Sequence, residues 1–589
     1  MALAAVALIA VQLVIRAVLA FRGYFYWDDL ILIGRAGTHG LLSPSYLLDD
    51  HDGHVMPAAF LVAGAITRVA PLNWTGPAIS LVVLQLLASL ALLRSLYVIL
   101  SWRPVLLIPL TFALFTPLGV PGFAWWAAAL NSLPMLAALA WVCADAILLV
   151  RTHNQRYAVT GVLAYLVGLL FFAKAAAIPF VAFAIAALLC HVQGDRAALA
   201  TVWRAGVRLW TVSLALTAAW IAVYLVVVNQ QRWSWDLRMT WDLLRRSVTH
   251  GIVPGLAGGP WAWDRWAPAS PWATPPVAVR TLGWLVLVVA LVLSLVRKQR
   301  IVPVWLTAAG YVVACQVPIY LMRSSRFTAL ELAQTLRYFP DLVVVLALLA
   351  AVGCCAPNRP SVGRLQHWLD ASAPRTAITA TVAALFVASS WYSTATFLKS
   401  WQDNPAQPYL QNARRSLAAA HAASTAPLLD QEVDPLVLGR VAWPDNLASH
   451  MFALLRDRPE FASSTTQLRT LDSRGRLADA QVTWVRAIVP GPVPQCGYLV
   501  QPDRPLRLAL DGPLLPTDWT AEINYLANSD GSMTMSLSEG TDTRVSVHPG
   551  LNRVYVRLPG AGDDIRVRAN TAALSVCVAV GPVGYALPR

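Results

Sequence analysis

The sequence predicts a polytopic α-helical membrane protein that ends in a soluble extracytoplasmic domain. Three observations carry this. Hydrophobic residues make up 57% of the 589-residue chain and charged residues only 13%, with a mean hydropathy of +0.55. A soluble globular enzyme does not have this balance. Apolar runs near the roughly 20 residues that cross a bilayer recur along the first two-thirds of the chain. After about residue 400 those runs shorten and polar residues return.

The apolar runs fall near 3–21, 77–100, 104–118, 132–150, 157–173, 176–192, 209–228, 277–296, 301–322, 339–355 and 376–397. That pattern predicts about eleven transmembrane helices. The 104–118 run is the weakest, because Pro104, Pro109 and Pro117 punctuate it. Segment 2–21 lacks a basic start and a small-residue cleavage site, so it reads as a retained helix. Arg16 inside it must snorkel or face protein.

The formal net charge of +14 is not gathered in one tract, so nucleic acid is not an expected partner. Arg103, Arg151, Arg204, Arg297 and Lys298 fall instead in every second short loop, all on one side of the membrane, almost without acids. This positive-inside bias puts the N-terminus in the cytoplasm. An odd helix count then puts the C-terminal domain outside a plasma (inner) membrane. Loops 22–76, 118–131, 229–276 and 323–338 face the same outer side.

The domain expectation is a transmembrane catalytic domain over 1–398, a mixed α/β segment over 399–490, and a β-sandwich, jelly-roll-like and similar to a carbohydrate-binding module, over 491–589. Alternation at 506–510, 532–537 and 554–558, with Gly, Asp and Asn turns between, predicts the strands. Only Cys496 and Cys577 fall in the outer domain, and a disulfide between them is expected there.

Candidate chemistry begins at Asp28 and Asp29, an adjacent acid pair just beyond the first helix. A carboxylate there can take a proton from an attacking sugar hydroxyl. Adjacent side chains point apart, so one acid can face substrate while the other bonds the scaffold. The plain alternative is that one of them caps the helix that follows. A second cluster, Asp49, Asp50, His51, Asp52 and His54, offers oxygen and imidazole groups. His51 and His54 could bond a phosphate. Asp29, Asp52 and His54 could instead hold a divalent cation such as Mg, Mn or Ca, although Asp52-Gly53 also reads as an ordinary turn.

Outer-face cations come next. Lys174, Arg326 and Arg337 are expected to bind the donor phosphate, against the alternative of interfacial anchors. The outer turn Trp125-Trp126 to Asn131 reads either as an acceptor or lid segment lining the same cavity or as interfacial belt and helix cap. Trp261 and Trp263, in a loop that also holds Trp233, Trp235, Trp241, Trp266 and Trp272, read either as an interfacial belt or as a lid that stacks on an acceptor sugar.

An acid pair after the first helix, a histidine-bearing turn before a proline (His51 to Pro57), many further helices and a C-terminal outer domain together resemble the GT-C superfamily of integral membrane glycosyltransferases. The Ala, Arg and Trp usage and the β module resemble its actinobacterial branch of arabinofuranosyl- and mannosyltransferases. The resemblance implies a polyprenyl-phosphate (in that branch, decaprenyl-phosphate) sugar donor, a cell-envelope glycan or glycolipid acceptor, and Asp28 as general base with Asp29 the alternative. The His51-Asp-Gly-His54 turn departs from the arabinofuranosyltransferase loops. The rival readings are a glycolipid transporter and a non-catalytic scaffold that binds glycan.

Overall fold

The structure is a computed structural model that describes residues 1–228, 235–359, 372–423, 426–502 and 504–589. The start of the 229–276 loop, Trp233 included, lies outside the described residues. Two compact units emerge. One comprises Met1–Leu32 and His39–Asn404; the other comprises Ile33–Thr38 and Pro405–Arg589.

The first unit is a helical bundle. Among the described residues, eight helices are long and apolar enough to cross a membrane, so this is a multi-pass membrane protein. That is fewer than the eleven the apolar runs predict, for physical reasons. Every run is helical, but the 104–118 run is a bent pair, Pro104–Phe115 and Pro117–Ala124, at 42°. The break falls where Pro117 lacks the N–H that would continue the first helix. Runs 157–173 and 339–355 give Arg156–Phe171 and Pro340–Cys355. Each has 16 residues, or about 24 Å of helix against a hydrocarbon core of about 30 Å. Pro57–Val69 is a further short apolar helix.

Trp126–Thr152 is the most enclosed of the long helices. Its N-terminus meets the loop after the first helix, and the segment Val120–Ala124 just before it meets the turn that carries Arg337. That second approach depends on Gly122: a Cβ there would lie 2.8 Å from Pro340 Cγ and 3.3 Å from the Arg337 carbonyl.

The second unit joins the helix Ala406–Ala422, a short parallel strand pair, Leu428–Leu429 with Phe461–Ala462, and a β module. Residues Ile33–Thr38 belong to it through an Arg35–Asp445 ion pair at 3.1 Å. The β module is one nine-stranded antiparallel sheet linked throughout by hydrogen bonds. Its two long strands, Leu506–Ala527 and Gly550–Ala569, pair along most of their length. Register shifts at 509–517 mark bulges, which bend strands. Side chains from all the main strands, among them Trp519, Ile523, Met535, Val556 and Ile565, then share one core. The expected disulfide joins Cys496 to Cys577, Cα atoms 4.8 Å apart, beside the pairing of Tyr498–Val500 with Val576–Val578.

Candidate active site

The two acids of the first loop have separate fates. Asp29 is fully buried. Its Oδ2 accepts the Tyr26 N–H at 2.9 Å and its Oδ1 accepts the Ala127 N–H at 2.8 Å. Ala127 lies in the first turn of Trp126–Thr152, where backbone donors have no partner within the helix. One carboxylate thus ties the loop to a second helix. Burial pushes the Asp29 carboxyl well above its ordinary range; the two N–H groups oppose this and the neighbouring Asp28 charge adds to it.

Asp28 begins the helix Asp28–Thr38 and is half-buried. Its charge reaches Tyr26, Asp29 and Arg323. The residue before it, Trp27, has φ +42°. A bulky residue in left-handed backbone costs about 1–3 kcal/mol and persists where surrounding structure fixes it. Here it reorients the chain between the anchored Tyr26 and the first acid.

Facing cations are arranged around Tyr338. The Arg337 guanidinium donates to the Tyr338 hydroxyl at 2.7 Å and lies 4.8 Å over the Trp125 ring. Arg323 lies 6.0 Å over the Tyr338 ring and pairs with Asp52 at 2.6 Å. Burial would raise the Tyr338 phenol, but Arg323 and Arg337 outweigh it and hold the phenol below its ordinary value. Lys174 donates to the Tyr338 carbonyl at 3.3 Å and to Asp341 at 2.7 Å. The other Asp341 oxygen accepts the Tyr311 hydroxyl at 2.7 Å.

This changes the part open to Lys174. Its charge is matched by a carboxylate that is itself only 3% exposed, so Lys174 supports the Tyr338 turn before it offers anything to a ligand. Arg326 is not brought in: it is exposed and stacks on its own neighbour Phe327.

The histidine segment is a tight turn. His51 and His54 exchange backbone hydrogen bonds at 3.1 and 3.0 Å. Asp52 and Gly53 take φ +50° and +81° between them, the two-residue hairpin geometry that Asp-Gly favours. Asp50 caps the Gly53 N–H at 2.7 Å. The His54 ring meets Phe172 edge-on at 5.4 Å. Burial, then Arg323 and His51, push the His54 imidazole down to about 4, so at neutral pH it is an uncharged hydrogen-bonding group.

The candidate cation ligands Asp29, Asp52 and His54 are placed apart. Among the described residues no three His, Cys, Asp or Glu groups are placed to hold a metal ion. Both Asp29 oxygens are taken by backbone donors, Asp52 turns to Arg323, and His54 lies against Phe172.

The tryptophans also divide. Trp125 carries Arg337. Trp126 is buried and donates to Ser80 Oγ at 2.9 Å. Asn131 is buried, its Oδ1 without a partner among the described residues. Trp261 and Trp263 are fastened to the helix Ser372–Gln402, through Ser389 Oγ at 2.7 Å and the Ser393 carbonyl at 2.9 Å. Both indole N–H groups thus tie the loop to that helix.

Sequence reasoning passed over Tyr26 and Asp341. Asp341 had a signal: an acid opening the apolar run after Pro340 calls for a partner, and Lys174 was the candidate.

No family model matches the chain, and no curated protein matches it. Among solved structures, ArnT from Cupriavidus metallidurans is similar at 12% identity in the apo state, over 77% of this chain and 84% of that one, with a TM-score of 0.41. The same protein bound to undecaprenyl phosphate gives 14% identity, 73% and 84% coverage, and a TM-score of 0.39. The arabinofuranosyltransferase AftD from mycobacteria gives 12% identity, 99% and 63% coverage, and a TM-score of 0.32. Likeness at this level carries no functional weight, and what the protein does must be judged from the site itself.

Proposed function

We propose that this protein is a membrane glycosyltransferase that moves a sugar from a polyprenyl-phosphate donor to a cell-envelope glycan or glycolipid on the outer face. The observation that carries the reading is the division of labour in the first loop. Asp29 is committed to backbone donors, while Asp28, its neighbour, is half-buried within electrostatic range of Arg323. Such a pairing of carboxylate and guanidinium suits a reaction that makes a proton and a phosphate anion together.

In this reading Arg337, with Arg323 and the Tyr338 hydroxyl, holds the donor phosphate. The acceptor oxygen attacks the anomeric carbon as the bond from that carbon to the phosphate oxygen breaks. Asp28 takes the hydroxyl proton. The lipid phosphate leaves with its charge already matched by fixed donors. One displacement inverts the anomeric centre. The sugar is arabinofuranose or a hexose such as mannose, and the β module guides the acceptor.

The test is transfer by the full chain in proteoliposomes, offered polyprenyl-phosphate arabinofuranose and polyprenyl-phosphate mannose with an oligosaccharide acceptor. Product NMR is expected to show one donor used and its configuration inverted. A retained configuration, or movement of donor across the bilayer without transfer, contradicts the reading.

A further inference from the structure

Within the helical bundle, in a space that shares the Phe123 and Pro340 wall with the turn of the acid–cation cluster, lies a buried charge that the transfer reading does not use. Arg16 sits in the first membrane helix, Ala2–Phe21, five residues or about 7.5 Å from its C-terminal end. It is 5% exposed. Its guanidinium lies 5.0 Å over the Phe123 ring. No ion pair links it to a carboxylate among the described residues, and its Nη1 has no hydrogen-bond partner there. An uncompensated charge in such surroundings is strongly destabilising.

Arg16 and Gln12 line two adjoining cavities of about 50 and 20 Å³. On that measure one water needs roughly 10–15 Å³, so the larger has room for about three to five waters, or for one oxyanion. Several donors around this space have no partner among the described residues. Gln85 donates to Ser89 at 3.1 Å and Ser89 to Gln12 Oε1 at 2.8 Å, which leaves the Gln12 amide N–H groups as the free end of the chain. The Ser390 hydroxyl, 1% exposed, lines the smaller cavity without a partner among the described residues. No carboxylate lines either cavity.

We propose that this space is an intramembrane anion site in which Arg16, Gln12 and Ser390 bind a phosphate group, separate from the donor phosphate at Arg337. Arginine cation, amide and hydroxyl are the groups that satisfy a phosphate's acceptor oxygens. The phosphate supplies the charge that no side chain supplies. It comes either from a lipid phosphate monoester or from free phosphate.

The test follows thermal unfolding of the full chain in detergent, in an Arg337→Met background that removes the outer cluster's response. Sodium phosphate is compared with chloride at equal ionic strength, and a short polyprenyl monophosphate is added separately. The background protein is expected to gain about 2–5 °C at saturation. A gain with both probes assigns the site to phosphate from solution; a gain with the lipid alone assigns it to the membrane. Adding Arg16→Met should abolish the gain while leaving the unliganded protein at least as stable, because a buried charge is removed. Gln12→Met keeps the charge and should weaken binding at least several-fold, which covers the case of an Arg16 variant that fails to fold. No gain in the background protein, or an equal gain in the Arg16→Met or Gln12→Met protein, overturns the proposal. The outcome is independent of transfer activity, so it stands or falls apart from the glycosyltransferase reading.

Discussion

At the scale of single residues, the candidate site shows how the same side chain takes opposite parts according to its partners. Asp28 and Asp29 are chemically alike and adjacent. The Ala127 N–H, 98 positions away, together with the Tyr26 N–H, ties Asp29 to the scaffold. That choice was legible in part: neighbouring acids point apart, and one was expected to bond structure. Which one was not legible, because the deciding contact is tertiary. His54 gives a residue-scale prediction. Its folded value near 4 lies below the ordinary 6.5. The folded protein therefore binds fewer protons there than the unfolded chain as pH falls through that window. Its contribution to stability is present above 6.5 and lost on acidification toward 4. A His54→Gln protein is expected to show a flatter fall of unfolding midpoint between pH 6.5 and 4 than the parent. Equal slopes would remove His54 from the account.

At the scale of elements, the turn that carries Arg337 and Tyr338 is held from below by Lys174 and Asp341. Removing one member leaves the other charge buried, which costs about 3–5 kcal/mol. Lys174→Met alone is expected to lower the unfolding midpoint sharply, and Lys174→Met with Asp341→Leu to recover most of the loss. A double variant as unstable as the single one would mean the pair is not the support. The helices themselves were legible, since every apolar run is helical. Their membrane-spanning count was not, since Pro117 splits one run and two others stop at 16 residues. Whether the acid and histidine cluster converges was not legible for a similar reason. Five acids and histidines close in sequence looked convergent, but the Asp52-Gly53 turn disperses them toward Arg323, Phe172 and the turn's own backbone.

At the scale of the whole molecule, the chain divides into a helical membrane unit and a mixed unit with its own core. The strand pattern of the second unit was legible because alternation survives in strands buried on one face. That its sheet is a single continuous one was not, because bulges at 509–517 leave no mark in alternation alone. The Cys496–Cys577 bridge closes a span of 81 residues. By chain entropy it stabilises the module by about 4–5 kcal/mol. Cys496→Ala/Cys577→Ala protein is expected to lose the β module's unfolding transition at a lower temperature while the helical unit's transition stays. A coincident fall of both transitions would show the units unfold as one.

The account rests on Asp28 acting in chemistry while Asp29 acts in structure. Steady-state transfer by Asp28→Asn and Asp29→Asn proteins, each paired with its unfolding midpoint, tests this most directly. The expected result for Asp28→Asn is an unchanged midpoint, a KM for donor within a few-fold, and a kcat lower by about 10²–10⁴. Asp29→Asn is expected to unfold earlier, since the amide oxygen keeps one of the two buried backbone donors and the amide nitrogen leaves the other unpaired, at a cost of about 1–3 kcal/mol, while its folded fraction keeps a measurable kcat. Full activity in Asp28→Asn protein, or a stable Asp29→Asn protein that has lost only kcat, would contradict the assignment.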